Sequence, residues 1–455
     1  MRLYRPMHEM LSSNLDRLHL HVPGHKGKDL FDNVPAQTFD TTELGITDDL
    51  YAPTGAIQLA QEQMALSAGA GHTLFLTGGS TAGILTMLLY SAKPGDTVIL
   101  PRNAHQSCIN GCVLADLHPA YVPFEMTEDG YAYAPEEAFL KVIAHHPKAA
   151  AVLVTRPDYY GGMVPLAKIA KAAHDLGMRL LIDEAHGAHL NWMTDIETAS
   201  SAGADLWVQS AHKTLPALTA GAFLHLGKNE DVLRARRMLR MVQTSSPAFY
   251  LMKSLDDARA WMDTHGKPAL EKLQGCLHAF RSLITELGYQ DAHALWSNQP
   301  LTFDPTRLVL SAPQGGYALA DALMRLGVDV EMADERRIVC IMAVMDGRQT
   351  LDRLEAALKA ATYLPAVNTF LPAIPLSLPV QKLSLRQAAL GDTQWVALEK
   401  SAGRILASSI GLYPPGVPLA APGEEMTGEI AAILLSAPEK NRFGIHNGNL
   451  LCVKE

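Results

Sequence analysis

The sequence predicts an α/β protein: a doubly wound domain with a mostly parallel sheet, then a smaller α+β domain and a carboxy-terminal α/β-like module. Three observations lead there. From about residue 71 to 226, short apolar runs alternate with helical patterns, the mark of βα units. From 307 to about 362, strand and helix patterns mix on a smaller scale. The 455 residues, 48% of them hydrophobic and 19% charged, supply enough apolar side chains for more than one core.

The strands of the first domain are expected at 73–76, 97–100, 150–154, 179–182, 205–208 and 222–226, each a short apolar run rich in Leu, Ile and Val. The intervening stretches read as helices. In one of them, Leu166, Ile169, Ala170 and Ala173 recur at helical spacing and Gly177 supplies the stop. Residues 229–288 are helical in pattern. Leu308-Val309-Leu310, Val328-Asp329-Val330 and Ile338-Val339-Cys340-Ile341 mark the strands of the smaller domain. Residues 364–379 carry Pro365, Pro372, Pro375 and Pro379 and no charged residue, which reads as a connection. The organisation expected is an amino-terminal arm over 1–60, a large domain over 61–262, a small α+β domain over 263–365 and a last domain over 366–455.

Composition excludes several classes. Lys and Arg number 38 against 47 Asp and Glu, a net charge of -9 that repels a phosphate backbone, so nucleic acid is not an expected partner. Met1 to Pro6 opens no apolar run of signal-peptide type and no stretch is long enough to span a bilayer, so a cytoplasmic protein without membrane association is expected. Five scattered cysteines, Cys108, Cys112, Cys276, Cys340 and Cys452, lack paired spacing and read as reduced thiols. His105, Cys108 and Cys112 share a helix face but have no second ligand pair, so a buried face is expected rather than a metal.

Four constellations stand at strand ends, where open α/β sheets place their ligands. Thr77-Gly78-Gly79-Ser80-Thr81-Ala82-Gly83 follows a strand and opens a helix, so its hydroxyls and free N–H groups suit a phosphate, although an ordinary βα turn fits the same residues. It matches neither a P-loop nor a dinucleotide fingerprint. Ile182-Asp183-Glu184-Ala185-His186-Gly187-Ala188-His189 ends a strand in acidic and imidazole groups. A helicase box lacks its phosphate loop here, and a metal site formed by Asp183, His186 and His189 is the competing reading. In Gln209-Ser210-Ala211-His212-Lys213-Thr214 a lysine directly follows a buried strand, where partial burial would make its amine a nucleophile. Pro101-Arg102-Asn103-Ala104-His105 offers an aromatic ring at another strand end. A strand-end Asp, a strand-end Lys thirty residues later and an upstream Gly-Ser-Thr turn together supply the three parts of a pyridoxal 5'-phosphate site, which decides against metal.

His21-Val22-Pro23-Gly24-His25-Lys26-Gly27, Thr42-Glu43-Leu44, Asp48-Asp49-Leu50, Pro53-Thr54-Gly55, the runs from Asp183 to His189 and from Gln209 to Thr219, Thr244-Ser245-Ser246-Pro247, Tyr413-Pro414-Pro415-Gly416 and Pro422-Gly423-Glu424 resemble the motifs of the ornithine/lysine/arginine decarboxylases, in family order and over nearly the whole chain. The likeness is to the shorter members, without an amino-terminal wing. It implies a fold type I pyridoxal-phosphate large domain and decarboxylation of arginine, lysine or ornithine to the amine and CO2. By the same resemblance Lys213 forms the Schiff base, Asp183 pairs with the pyridine nitrogen, and His105 and Ala185 cover the two ring faces. Gly79, Ser80, Thr81, His186, Ser210 and His212 complete the cofactor set, and His212 or Lys213 moves the proton to Cα. The family's dimers imply a homodimer with shared active sites.

A basic substrate needs a carboxylate for its distal cation, and Glu43, Asp48, Asp49 and Glu424 are the candidates, although each serves equally well as a cap or a surface charge. Alternatives are another carbanion reaction on the same cofactor, as in an aminotransferase or an aldol-type or eliminating lyase, and a cofactor-binding assembly protein without turnover. The chain departs from the family pattern at Gly78, Gln106, Asp158 and Ala220, all near the expected pocket.

Overall fold

A computed structural model describes residues 18–20, 48–361, 378–412 and 418–454. Its centre is a seven-stranded sheet. In chain order the strands are β1 (His72–Leu76), β2 (Thr97–Pro101), β3 (His118–Val122), β4 (Ala151–Thr155), β5 (Arg179–Asp183), β6 (Leu206–Gln209) and β7 (Ala222–Leu226). The spatial order is β1-β7-β6-β5-β4-β2-β3, and β7 alone runs against the rest. Burial explains the pattern: β4 to β7 are covered on both faces and carry continuous apolar runs instead of alternating ones.

The expected strands lie within a residue or so of the observed ones, but β3 was not among them. His118-Pro119-Ala120-Tyr121-Val122 has a proline and no apolar run, a composition tolerated only because β3 is an edge strand with β2 as its one neighbour.

Helices α1 (Ala56–Ala68), α2 (Gly79–Ser91), α3 (Gln106–Ala115), α4 (Glu136–His145), α5 (Ala167–Asp175), α6 (Val232–Val242) and α7 (Phe249–Trp261) surround the sheet, and α8 (Lys267–Glu286) leads away from it to bury Leu273, Leu277, Phe280 and Ile284 in the core of the smaller domain. One apolar cluster, around Phe75, Val152, Ile182 and Trp207, fills one face of the sheet and a second, around Leu74, Leu100, Leu153 and Val208, fills the other. Each such side chain, fully withdrawn from water, contributes about 1.5–3 kcal/mol.

The smaller domain is a four-stranded sheet of order β8 (Gln290–Asp291), β9 (Arg307–Ser311), β11 (Arg337–Ile341) and β10 (Met332–Ala333), packed on α9 (Gly316–Arg325) and α10 (Arg348–Ala361). Leu18–Leu20 pairs in parallel with Val328–Val330. Residues beyond 378 form two three-stranded antiparallel sheets with α11 (Leu385–Leu390) and α12 (Gly428–Ser436). This last part is not a detached bead: Leu385 and Ala421 belong to the second cluster of the large sheet. Among the described residues no helix is long and apolar enough to cross a membrane.

Candidate active site

The carboxyl ends of β1, β2, β4, β5 and β6 converge, and parallel pairing sets how closely. Asp183 closes β5 opposite Val208 of β6 and Thr155 of β4. Four residues past β6, Lys213 sits in a single helical turn, Ala211–Thr214, that brings its amine back over the sheet edge.

Lys213 Nζ lies 3.1 Å from His186 Nε2. Burial lowers the pKa of the amine, Asp183 and Glu331 act against that, and Arg307 adds to it. Asp183 is 2% exposed. Burial raises its pKa while His105, Lys213 and the Ala185 N–H, 3.2 Å from Oδ1, favour the anion. Its Oδ2 has no protein partner among the described residues, which leaves one carboxylate oxygen aimed at whatever the site holds. The Ser210 N–H donates to the Ala185 carbonyl at 3.3 Å, tying the lysine turn to the aspartate turn.

At α2, Gly79 has φ +73° and a Cβ there would meet nothing within 4 Å, so the glycine serves the turn rather than relieving a clash. Three amides at this helix start are spent inside the protein. Thr77 and Gly78 donate to Gln243 Oε1 at 2.9 and 3.3 Å, and Gly79 donates to the Ala220 carbonyl at 2.9 Å. The Ser80 and Thr81 amides, the next two of the first turn, have no acceptor among the described residues. Thr77 Oγ1, Ser210 Oγ and Gln243 Nε2 are also buried without partners there. A cradle of unspent donors at a helix start fits a phosphate.

His105 caps α3, its Nδ1 2.8 Å from Ser107 Oγ, with its ring exposed and within electrostatic reach of Asp183 and Lys213. Ala185 is buried beside Asp183. His212 Nδ1 lies 3.1 Å from the Gly221 carbonyl, so that nitrogen carries its proton and donates it there. Anion donors past β1, an open carboxylate oxygen at the end of β5 and an amine just past β6 thus stand at the same edge of the sheet, the donor set a pyridine ring, an aldehyde and a phosphate require, and the residues present fit pyridoxal phosphate.

Residues 5–314 match the model of the Orn/Lys/Arg decarboxylase major domain, and residues 367–442 match the C-terminal domain of the same enzymes. The chain belongs to the Orn/Lys/Arg decarboxylase family. It is similar to an uncharacterized protein YaaO of Bacillus subtilis, 33% identical over 90% of this chain and 88% of that one. It is also similar to an arginine decarboxylase of Bacillus subtilis, 30% identical over 93% of this chain and 91% of the other. Its fold is shared with the constitutive lysine decarboxylase of Escherichia coli, with TM-score 0.78 and 18% identity over 92% of this chain and 76% of that chain. The protein is an amino-acid decarboxylase with the α/β architecture of the fold type I enzymes.

In this decarboxylase the acidic candidates for the substrate's distal cation fare badly. Glu424 is 1% exposed, and both its oxygens take the Arg102 guanidinium, at 2.8 and 2.7 Å, while Oε2 also accepts the Ala421 N–H. It is a structural ion pair, not a substrate carboxylate. Asp48, at φ +72°, accepts the N–H groups of Asp49, Thr54, Gly55 and Ile57. Partial burial works against the anion, but those backbone donors hold its pKa below the usual carboxylate range. Asp49 caps its own turn through Tyr51 N–H. Asp48 is corrected to a loop organiser feeding α1, whereas Asp49 stays exposed at the loop surface. Glu43 lies outside the described residues, as do the motifs from His21 to Gly27 and from Tyr413 to Gly416.

Sequence reasoning missed two charged groups that the smaller domain brings to the lysine. Glu331, between Val328–Val330 and β10, acts electrostatically on Lys213 and accepts the Tyr159 hydroxyl. Arg307, the first residue of β9 and 1% exposed, lies 3.4 Å from His186 Nδ1. Neither sits at a large-domain strand end, so position alone gave no signal. The departures from the family pattern have local roles. Ala220, at φ +72°, presents the carbonyl that takes Gly79. Asp158 accepts the Tyr131 hydroxyl at 2.6 Å and the Tyr160 and Gly162 amides, and burial pushes its carboxyl up to about 6.

Proposed function

We propose that this decarboxylase removes the α-carboxylate of a basic L-amino acid, arginine first, with pyridoxal phosphate bound at Lys213. The observation that carries the reading is the pairing of a buried carboxylate, Asp183, and a lysine amine at adjacent strand ends, beside a helix start whose Ser80 and Thr81 amides are unspent. Arginine leads because the relatives matched over nine-tenths of this chain include arginine decarboxylases.

The cofactor, when bound, supplies an aldehyde for the lysine and a ring that takes up the electron pair released with CO2. The chain's residues do the rest. Ser80, Thr81 and Ser210 bind the phosphate, and Asp183 Oδ2 holds a proton on the ring nitrogen, an electrostatic role rather than a base's. His105 and Ala185 confine the ring between them. Lys213, freed by substrate, or His212 beside it, returns a proton to Cα. Metal plays no part in this reading.

The substrate's distal cation is assigned to Glu331, which faces Lys213 from the smaller domain with Tyr159 orienting its carboxylate. A charge-assisted hydrogen bond of this kind contributes about 1.5–3 kcal/mol. Glu331→Gln is therefore expected to raise KM by roughly ten- to a hundredfold and leave cofactor affinity unchanged. A homodimer with shared sites belongs to the same proposal, and exposed Leu59 and Leu66 on α1 suit such a contact. Light scattering of the purified protein checks it.

Incubation with pyridoxal phosphate and each of arginine, lysine and ornithine tests the reaction class. Amine and CO2 in equal amounts from one of the three support decarboxylation. A keto acid in place of the amine would move the protein to the aminotransferases.

A further inference from the structure

The buried guanidinium of Arg307 is held incompletely. Among the described residues its Nε and Nη1 have no hydrogen-bond partner, and the carboxylate oxygen nearest to it, Asp304 Oδ2, is 4.0 Å from Nη2. The other oxygen of Asp304 is committed to His189 Nε2 at 3.1 Å and to the Thr306 N–H and hydroxyl at 2.9 and 2.7 Å. Space for the arginine stem depends on Gly161, where a Cβ would stand 2.9 Å from Arg307 Cβ. The nitrogen that does reach a partner points at the ring next to the reactive lysine.

We propose that Arg307 is a positioning residue that acts on Lys213 through His186, fixing the imidazole tautomer that presents Nε2–H to a neutral lysine amine. The argument is one of donors and acceptors. A guanidinium has only N–H donors, so His186 Nδ1, 3.4 Å from Arg307 Nη2, faces it with a lone pair. The neutral ring then carries its proton on Nε2, 3.1 Å from Lys213 Nζ. An N–H there is accepted only by an amine with a free lone pair. Were Lys213 an ammonium, it would claim Nε2, the ring proton would move to Nδ1, and two donors would face each other across the Arg307 contact. Tyr159, whose ring lies edge-on to His186 at 4.9 Å, keeps the imidazole from turning away.

The groups facing Lys213 balance this. Asp183 from β5, with His105 within reach of both from the β2–α3 loop, and Glu331 from the smaller domain form one side. His186 and Arg307, backed by Asp304, form the other, and His212 is committed to Gly221. The acidic pair draws a proton to the amine and the Arg307–His186 pair drives it off, leaving a nucleophile ready for an aldehyde without a separate base.

The proposal rests on reading Lys213 as the nucleophile, and its test does not need turnover. Apoprotein is labelled with limiting acetic anhydride across a pH series, and acetylation of Lys213 is read by mass spectrometry. In Arg307→Met the labelling midpoint should move up by about one pH unit, so that labelling below the midpoint is about tenfold slower. Arg307→Lys, which keeps a cation, should stay near wild type. His186→Phe should shift in the same direction as Arg307→Met and decides the question if that variant does not fold. Midpoints unchanged in folded Arg307→Met or His186→Phe overturn the relay. A wild-type protein that labels normally yet never captures pyridoxal phosphate would instead overturn the cofactor reading and leave the relay standing.

Discussion

At Glu424 a carboxylate that sequence reasoning offers to the substrate is already committed, and the cost of removing it is correspondingly structural. Arg102 and Glu424 are both almost fully buried, 2.7 Å apart, with the guanidinium stacked 4.6 Å over the Tyr121 ring. Breaking a buried pair from one side leaves an uncompensated charge, at about 3–5 kcal/mol. Glu424→Gln is expected to lose that much stability in urea unfolding and to weaken cofactor binding as well, because Arg102 lies three residues before His105. An unchanged midpoint would contradict the assignment. The contrast with Lys213 and Asp183 shows what was legible at this scale. Those two are recognisable because strand ends and their spacing are sequence properties, whereas whether an acidic residue is spent on a guanidinium 322 positions away is a property of the fold.

At the scale of elements, α2 must lie close on the sheet for its first turn to reach the site. Gly83 makes this possible: a Cβ there would be 2.5 Å from Val208 Cγ2 and 2.7 Å from Leu76 Cδ1, side chains of β6 and β1. Gly83→Ala should lift the helix, cost about 1–3 kcal/mol by overpacking, and weaken pyridoxal phosphate affinity through Ser80 and Thr81 before unfolding is evident. A fluorescence titration of the apoprotein reads this directly, and unchanged affinity would mean that the helix start does not hold the phosphate. Periodicity made the α/β pattern and most strands legible. It missed β3, whose proline and lone-edge position remove the apolar run. It did not fix where within residues 77–83 α2 begins, because glycines and hydroxyls carry no helical period and only the amides reveal that the helix begins at Gly79.

For the whole molecule, a buried polar chain runs beneath the site across four strands. Glu184, just past β5, accepts from Gln209 Nε2 at 2.6 Å, Gln209 Oε1 accepts from His225 Nε2 at 3.0 Å, and His225 Nδ1 meets Thr73 Oγ1 at 2.8 Å. Burial raises the Glu184 carboxyl to about 7, against the pull of Gln209 and Arg156. The native state thus holds this proton more tightly than the unfolded chain. Its contribution to stability is complete below about pH 4.5 and is lost as pH rises to about 7, a change of about 3 kcal/mol. His225, which burial holds neutral down to about 3, works in the opposite direction between about 3 and 6.5, so wild type alone does not separate them. Glu184→Gln does: relative to wild type it should gain stability as pH rises from 4.5 to 7, and a difference that is flat in pH would contradict the assignment. The α/β class of the whole was readable from the alternation of apolar runs and helical patterns, but the meeting of Arg307 and Glu331 with Lys213 was not, since it depends on how β9 and β10 stand over β5 and β6.

The most direct measurement is release of labelled CO2 from carboxyl-labelled arginine, lysine and ornithine by the purified protein with pyridoxal phosphate, beside Lys213→Ala. The account predicts release from one of the three, arginine foremost, and a loss of at least a thousandfold in the variant, the order of magnitude carried by a covalent catalytic group. Release that survives in Lys213→Ala, or none from any of the three, would contradict it.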